Sequence, residues 1–354
     1  MPRNATTGIY TLPAHDPVIE EYRRHTHANT NDDIAAALND GLIFDTAAAT
    51  GRLTLETLVA VSASNQLAKT SVFYTPYTGE RVSIFNGTKW LTFVFSEITL
   101  VLDPDPVHTG FHQSGKNFDL FVANDAGTRR LGTGPAWSSD TARGTGAGTT
   151  ELERKNGIWT NKVSMSLRWG SASGNTITVT ANQGTYVGTM RASANGQCED
   201  SFANRFVWNA YNRVKRAMRV FDATDSWTYS TAAFRQKNGS TANQLQMVRG
   251  LNEDSVSAVN QSIASSSTAT LRSVRTGIGL DSTTAFAVGS AAAQANVSDT
   301  ILNTSPSFYE DLPGLGSHFL AALEFGAGTD TQTWAGDSGL PLLLITGIFG
   351  SIMA

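Results

Sequence analysis

Apolar and polar side chains alternate in short runs from about residue 51 onward. The segments TITVT (176–180) and TYVGTM (185–190) repeat with a period of two, which is typical of strands that bury one face. Four Asn-Gly steps separate runs of this kind and indicate tight turns. The pattern predicts a mainly β fold, an antiparallel β-sandwich of jelly-roll-like type. No internal repeat is present, which argues against a propeller or a solenoid.

The segment RVSIFNGTKWLTFVF carries the strongest local hairpin pattern. Its Asn86-Gly87 step predicts a two-residue type I′ turn, because both residues tolerate positive φ angles. Such a turn pairs Phe85 with Thr88 and Val82 with Leu91. One face of this hairpin then carries Val82, Ile84, Leu91 and Phe93, and the other carries Phe85 and Trp90.

The chain divides by pattern into three regions, an N-terminal segment (1–50), a small β domain (51–105) and a large antiparallel β-sandwich (106–354). Two glycine-rich or alanine-rich stretches, 138–150 and 289–300, are predicted to be loops that touch a neighbouring molecule.

The N-terminal segment combines a short strand, GIYTLP, with a helix in NTNDDIAAALNDG. Asp32 and Asp33 lie in the first helical turn, where the helix dipole favours anions, and Gly41 can end the helix. A helix of about ten residues is not stable alone in water, so its apolar stripe is expected to dock on another surface. The candidate docking residues are Tyr10, Leu12, Ile34 and Leu38.

Composition and charge exclude several classes of protein. The 354 residues carry a formal net charge of −4, which offers no basic footprint for nucleic acid or an anionic membrane. The single cysteine, Cys198, excludes an internal disulfide framework. The longest apolar run, 340–353, is interrupted by glycine and is too short to span a bilayer. No basic-then-apolar leader opens the chain, so we expect a soluble protein made in the cytoplasm.

The tetrapeptide Gly336-Asp337-Ser338-Gly339 looks like the loop that holds the nucleophile of chymotrypsin-type proteases. A serine nucleophile needs a base and a carboxylate that orients the base, and none of the six histidines lies in that family's histidine motif. Asp followed by Gly is also an ordinary turn sequence. We therefore interpret Ser338 as part of a turn and assign no catalytic residue.

Histidines and acids form no convincing metal site, and we expect no bound cofactor or metal. His108 and His112 are four apart, but prolines and glycines between 104 and 115 exclude a helix that would align them. His25 and His27 are better interpreted as a solvated or interface pair than as metal ligands. His318 opens an apolar strand and is expected to be packed. Four aspartates are considered as calcium ligands in loops, but their spacing matches no known calcium loop. They are Asp103, Asp105, Asp222 and Asp225.

Glycoside hydrolysis needs two carboxylates that flank a cleft. The acids considered for this role are Glu151 with Glu153, Glu199 with Asp200, and Glu310 with Asp311, and none differs from an ordinary surface acid.

The tryptophans fall into two groups. Trp90, Trp159, Trp208 and Trp227 lie within β-runs and are expected in the core. Trp137 and Trp334 lie in polar surroundings, so we expect exposed rings that contact a glycan or another subunit.

The C-terminal run GLPLLLITGIFGSIMA allows two interpretations. Its apolar side chains could be buried between subunits, or the run could form a final core strand. The candidate subunit-interface residues are Leu342, Leu344, Ile348 and Phe349.

Several segments resemble tailed-bacteriophage virion proteins of the tail-fibre or tail-appendage kind. They include TGIYTLP followed by NTNDDIAAALND, VFYTPYTGERVSIFNGTKW, NFDLFVANDAGTRRLGTGPAWSSD, FVWNAYNRV and DSWTY. The resemblance covers most of the chain, and this group of proteins has no catalytic motif that the chain matches. It implies a homotrimer whose N-terminal part docks on the tail or head and whose distal β part meets the host surface.

The resemblance therefore implies a non-enzymatic virion protein, a tail fibre or receptor-binding component involved in host attachment. Its implied partners are other virion proteins, further copies of itself and a host-surface glycan or protein receptor, without nucleic acid or membrane insertion. Two alternatives stay open at this stage. One is a capsid decoration or head fibre protein, and the other is a glycan depolymerase tailspike.

Overall fold

The structure, a computed structural model, describes residues 49–304, 306–337 and 346–354. Several predictions lie outside these residues. They are the docking residues Tyr10, Leu12, Ile34 and Leu38, the pair His25 and His27, the turn at Ser338, and the interface residues Leu342 and Leu344.

The described residues form short strands joined by turns. The first fifteen are β1 (Gly51–Thr54), β2 (Gln66–Lys69), β3 (Ser71–Pro76), β4 (Arg81–Phe85), β5 (Trp90–Val94), β6 (Ile98–Val101), β7 (Asn117–Asp125), β8 (Thr128–Ala136), β9 (Leu152–Lys155), β10 (Ile158–Asn161), β11 (Met165–Arg168), β12 (Thr176–Val179), β13 (Gly184–Ala194), β14 (Gln197–Asp200) and β15 (Asn204–Arg205).

The remaining strands continue to the end of the chain. They are β16 (Val207–Asn209), β17 (Lys215–Phe221), β18 (Ser226–Thr228), β19 (Phe234–Gln236), β20 (Gln244–Arg249), β21 (Val256–Gln261), β22 (Ile263–Ser266), β23 (Arg272–Leu280), β24 (Ser290–Ala291), β25 (Ala293–Val297), β26 (Asn303–Thr304), β27 (Ser307–Asp311), β28 (Gly316–Phe325), β29 (Gln332–Ala335) and β30 (Gly347–Met353). A single 3₁₀ turn, Lys237–Gly239, is the only helical element among the described residues.

The strands confirm the predicted mainly β, antiparallel fold. A 16-stranded sheet, a five-stranded sheet, a four-stranded sheet, a three-stranded sheet and the hairpin β4–β5 make up the described part. Within it every strand pair is antiparallel except the short pair β15–β20. The same residues contain no helix long and apolar enough to cross a membrane.

The main core lies between the large sheet and the five-stranded sheet, in the manner of a sandwich. Strands β20, β23 and β28 of the large sheet contribute Leu245, Met247, Ile278 and Leu320. The five-stranded sheet contributes Met218, Val256, Ala258, Tyr309, Ile348 and Ile352 to the same cluster. Alternation along each strand places these apolar side chains on the inner faces.

Residues 51–105 share a core with the large sheet. Leu53, Val72 and Tyr74 of the three-stranded sheet belong to one buried cluster with Leu120 and Val122 of β7. Residues 48–354 form one compact unit, so the boundary predicted at 105 falls inside it. Ala49 already bridges Val82 of β4, and therefore the strand structure begins before residue 50.

The β4–β5 hairpin has the predicted faces but a different register. Phe85 pairs with Trp90 and Ile84 with Leu91, so four residues connect the strands and the two-residue turn was wrong. The Asn86 side chain explains the wider loop, because its Oδ1 accepts hydrogen bonds from the backbone N–H groups of Thr88 and Lys89. A shift of two residues leaves every side chain on its predicted face.

Other turn predictions are confirmed. Asn156 and Gly157, at φ 49° and 86°, connect Lys155 directly to its cross-strand partner Ile158. Ala126 and Gly127 make the equivalent connection between β7 and β8. The stretch 138–150 contains no strand, as predicted, whereas 289–300 contains β24 and β25 and is not the predicted loop.

The last strand, β30, lies inside the five-stranded sheet between β17 and β21. Its Ile348 and Ile352 are buried in the main core, at 1% and 2% exposure. The core-strand interpretation is thus confirmed for 347–353, and the prediction of Ile348 as a subunit-interface residue is wrong. Phe349 points to the opposite face and is half-buried.

Candidate functional site

A buried arginine organises two surface loops beside β11. Arg168 is 3% exposed and its guanidinium lies 2.9 Å from the carboxylate of Asp103. Its remaining N–H groups donate to the carbonyl of Thr109 in one loop and to those of Gly170 and Ala172 in the other. Because one charged group satisfies both loops at once, their relative position is set by Arg168.

His112 completes the support beneath the first loop. It is fully buried, and its Nδ1 accepts a hydrogen bond from the backbone N–H of Asp103 at 2.8 Å. Its Nε2 therefore carries the proton and lies 3.0 Å from Thr133 Oγ1. Burial lowers the pKa of His112 to about 4, with Arg168 also lowering it and Asp103 opposing the shift. This ring is neutral at physiological pH.

The neighbouring His108 contacts the side chain of the same Asp103. Its Nδ1 lies 3.0 Å from Asp103 Oδ2, so the two histidines contact different groups. The spacing of four residues accordingly has no metal-binding meaning. No group of three His, Cys, Asp or Glu residues that could hold a metal occurs in 49–304, 306–337 and 346–354.

The two loops border an open groove, mainly polar in one part and mainly apolar in the next. One part has a volume of about 610 Å³ and the next a volume of about 520 Å³, and Val101 and Ser171 line both parts. Polar side chains of the first part include Glu97, Thr128, Arg129, Arg130 and Asn175. Polar side chains of the second part include Asp105, His108, Asn195 and Gln197. Hydroxyl, amide, carboxylate and guanidinium groups therefore line one continuous surface depression, which we call the groove.

A stacked pair forms one wall of the groove. The guanidinium of Arg130 lies 3.8 Å from the ring centre of Trp169, and Asp125 holds the same arginine at 3.3 Å. Trp169 is half-buried and directly follows Arg168, so its position depends on the same clamp. The planar stacked pair of guanidinium and indole, with adjacent hydrogen-bonding groups, suits ligands that have both apolar and hydroxyl-bearing faces.

The two tryptophans predicted to be exposed are buried. Trp137 is 2% exposed because Arg143 covers it, with the guanidinium 4.4 Å from the ring centre. Trp334 is 1% exposed in β29, where its Nε1–H donates to the Tyr229 carbonyl. Neither ring can stack on a glycan, so that prediction was wrong. The exposure was predicted from polar flanking residues, whereas both rings are buried by residues distant in sequence.

Of the tryptophans predicted in the core, Trp208 is confirmed at 1% exposure. The other three, Trp90, Trp159 and Trp227, are half-buried. His318 is packed as predicted, at 7% exposure, with Nδ1 at 2.8 Å from Asp281.

The acids considered for glycoside hydrolysis are engaged with neighbours. Glu151 pairs with Lys162 at 2.6 Å, which lowers the pKa of that carboxyl. Glu199 accepts a hydrogen bond from the Ser201 hydroxyl. Asp200 lies between two buried arginines, Arg205 at 2.9 Å and Arg216 at 3.0 Å. Glu310 and Asp311 are exposed at the edge of the five-stranded sheet.

Asp222, considered as a calcium ligand, instead organises a polar junction. Its carboxylate accepts hydrogen bonds from the side chains of Asn238 and Asn243 and from the backbone of Thr224. These bonds lower the pKa of Asp222 although burial opposes the shift.

Sequence reasoning missed Arg168, Arg130 and Trp169. The Arg168-Trp169 dipeptide lies in the polar run SLRWGSASGN and carries no motif. A buried arginine is recognisable only when the carbonyls it satisfies are known, and Thr109 is far away in sequence.

Comparison with known proteins adds little. No family model matches the chain, and no curated protein matches it. Among solved structures, a Bacillus thuringiensis Cry1Da tryptic core variant is 6% identical over 81% of this chain, with a TM-score of 0.20. The structure of infectious bursal disease virus Gx strain is 11% identical over 83% of this chain and 77% of that chain, with a TM-score of 0.22. This chain spans 48% of the Cry1Da chain, and scores this low carry no functional inference.

Proposed function

We propose that this chain is a non-enzymatic structural protein of a tailed-phage virion, of the tail-fibre or receptor-binding type. The class comes from the resemblance of segments throughout the sequence, from TGIYTLP to DSWTY. The observation that carries the attachment role is the groove, which offers a ligand from outside an open surface with polar and apolar parts. Its ligand is a host-surface polysaccharide.

The groove suits a saccharide for three reasons. Its hydroxyl, amide and charged side chains can exchange hydrogen bonds with sugar hydroxyls. Trp169 and Arg130 supply a flat wall for the apolar face of a sugar ring. Arg168 holds the loops that carry Asp105, His108 and Asn175, so this part of the surface needs little ordering on binding.

Binding of purified full-length protein to lipopolysaccharide and capsular polysaccharide of candidate host bacteria tests the attachment role. We expect saturable binding, measured by titration calorimetry, that Trp169→Ala weakens by about fivefold or more, since stacking contributes on the order of 1 kcal/mol or more. Trp169→Phe should retain part of the affinity because it keeps an aromatic ring.

The matched control for this titration is Tyr77→Ala, which removes a 45% exposed aromatic ring outside the groove and should bind as the wild type does. Equal affinity of wild type and Trp169→Ala would refute the groove as the binding site.

Membership of a virion is tested separately, by mass spectrometry of purified particles from the phage that encodes the chain. A deletion of residues 1–47 should remove the protein from particles while the β unit 48–354 still folds. The deletion stops at 47 because Ala49 and Thr50 bond to the hairpin region. Normal incorporation of the shortened protein would contradict the docking role of the N-terminal segment.

A further inference from the structure

The outer face of the five-stranded sheet differs from its inner face in an unusual way. Strand order in this sheet is β17-β30-β21-β27-β24. The inner side chains are buried in the main core. The outer side chains alternate with them and are exposed or half-buried, yet several are large and apolar. We call this surface the outer face.

Registers place the apolar residues of the outer face in one row. Phe349 of β30 pairs with Val259 of β21, and Val259 pairs with Phe308 of β27. Phe221 of β17 joins the row by an edge contact with Phe349, at 5.2 Å between ring centres. Phe308 is 53% exposed and Phe221 is 43% exposed. A contiguous apolar row on an exposed sheet face is typical of an interaction surface.

Opposite charges border the row on its two sides. Lys215 and Arg219 are exposed on β17, and the guanidinium of Arg219 lies 3.7 Å from the ring centre of Phe202 at the edge of the sheet. Glu310 of β27 is exposed and lies on the outer face, since it pairs with Ser257, whereas Asp311 pairs with the buried Val256 and lies on the other face. Three strand spacings separate β17 from β27, which is about 14 Å. One side of the outer face is therefore basic and the other acidic.

This charge distribution makes the outer face complementary to itself. A two-fold axis parallel to the strands and midway between two stacked sheets reverses the strand order of the second copy. The basic side then lies over the acidic side at both ends, and the central residues Phe349 and Val259 face each other. A two-fold axis perpendicular to the strands would instead place like charges together.

We propose that the outer face binds a second copy of this chain in this two-fold arrangement. Glu310 of the second copy lies level with Ala217, between Lys215 and Arg219, because Ala217 and Glu310 occupy the same row of the sheet. Both long basic side chains reach it from either side. Phe349 of each copy is covered by Val259 of the other, and Phe308 lies over Arg219, which occupies the same row on β17. Water leaves the apolar contact at the centre.

The contact differs from the homotrimer that the phage resemblance implies, and it does not depend on the proposed function. It uses Phe349, which was predicted at a subunit interface, and leaves Ile348 in the core of its own chain.

Two charge variants test the arrangement on the full chain. Glu310→Arg makes both sides of the face basic, and the double variant Lys215→Glu with Arg219→Glu makes both sides acidic. We expect wild type to sediment as a dimer and each variant alone to dissociate with a dissociation constant raised about tenfold or more. An equimolar mixture of the two variants should form a 1:1 complex, because each chain then meets its complement.

Val107→Asp is the matched control, since Val107 is 86% exposed and lies in a loop outside the sheet. It should dimerise as wild type does, and thermal unfolding should show that all variants are folded. A monomeric wild type, variants that associate normally, a trimer insensitive to the charge changes or a mixture that stays monomeric would each overturn the proposal.

Discussion

Two arginines of this protein hold surface loops, yet the outcomes differ. Arg143 in 138–150 makes a two-point contact with the buried carboxylate of Asp119, at 2.6 and 3.1 Å, and closes over Trp137. Arg168 contacts Asp103 but donates mainly to loop carbonyls, and the neighbouring Trp169 stays half-buried.

The comparison shows that an arginine beside a tryptophan can either bury the ring or leave it open to a ligand. Arg143 lies in the first loop itself, so its ion pair with Asp119 holds that loop against the sheet and over Trp137. In the second the arginine lies on β11 and reaches out to two loops, so they stand apart around the groove. Trp137 is buried beneath the loop arginine, and Trp169 beside the strand arginine stays half-buried.

Removal of the first clamp should have the largest effect. Arg143→Ala leaves the buried carboxylate of Asp119 without its partner, and we expect a loss of about 3–5 kcal/mol in the free energy of unfolding. Denaturant titration measures it. The double variant Asp119→Asn with Arg143→Met should lose clearly less, because no unpaired charge remains. Equal losses would show that the ion pair is not the source of the effect.

Trp137→Ala should cost nearly as much. It empties a fully buried site beneath Arg143, and substitutions of this kind typically cost about 3–5 kcal/mol. The measurement is the shift of the urea midpoint at constant slope. If Trp137→Ala lost less free energy of unfolding than Trp169→Ala, the claim that Trp137 is the buried, structural ring would be contradicted.

Arg168→Ala should destabilise somewhat less, by about 2–4 kcal/mol. His108 still contacts Asp103, and the freed loop carbonyls can turn to solvent. Polysaccharide binding should fall together with stability, because both walls of the groove lose their support. Unchanged binding by a folded Arg168→Ala protein would separate the clamp from the groove.

Acid should weaken the groove loop through His112. Its pKa is about 4 in the fold and 6.5 in the unfolded chain, so the unfolded state binds more protons between these values. Stability contributed by the neutral ring is complete above pH 6.5 and is lost as pH falls to 4, by about 2–3 kcal/mol. The difference between wild type and His112→Asn, followed by unfolding from pH 7 to 4, measures it. A pH-independent difference would contradict the assignment.

Trp169→Ala should have the smallest effect on stability, about 1 kcal/mol, since a half-buried ring and one cation–π contact are removed. Thermal unfolding at pH 7 measures this change. A small loss in stability beside a large loss in binding is the combination that the groove predicts.

Local patterning predicted much of the fold. Alternation in 176–180 and 185–190 and the turn at Asn156-Gly157 depend on backbone preferences and neighbouring residues, which sequence contains directly. The register of β4–β5 was wrong by two because the Asn86 side chain competes for backbone N–H groups. That competition leaves the face assignment intact.

Site residues were harder to predict because their partners are distant in sequence. The residues around Trp137 predict an exposed ring. Its burial follows only from the hydrogen bond between Arg143 and the distant Asp119. The groove needs residues near 100, 130, 170 and 195 to meet, which no local pattern indicates.

The amino-acid sequence by itself determined that this chain is built of short antiparallel strands, because period and turn chemistry act over a few residues. Only the tertiary structure decided which arginines are buried, which tryptophan lines a groove and which face of β30 is left outward. Those outcomes depend on charges and carbonyls brought together across the sheets, where a buried guanidinium is stable only if distant groups satisfy it.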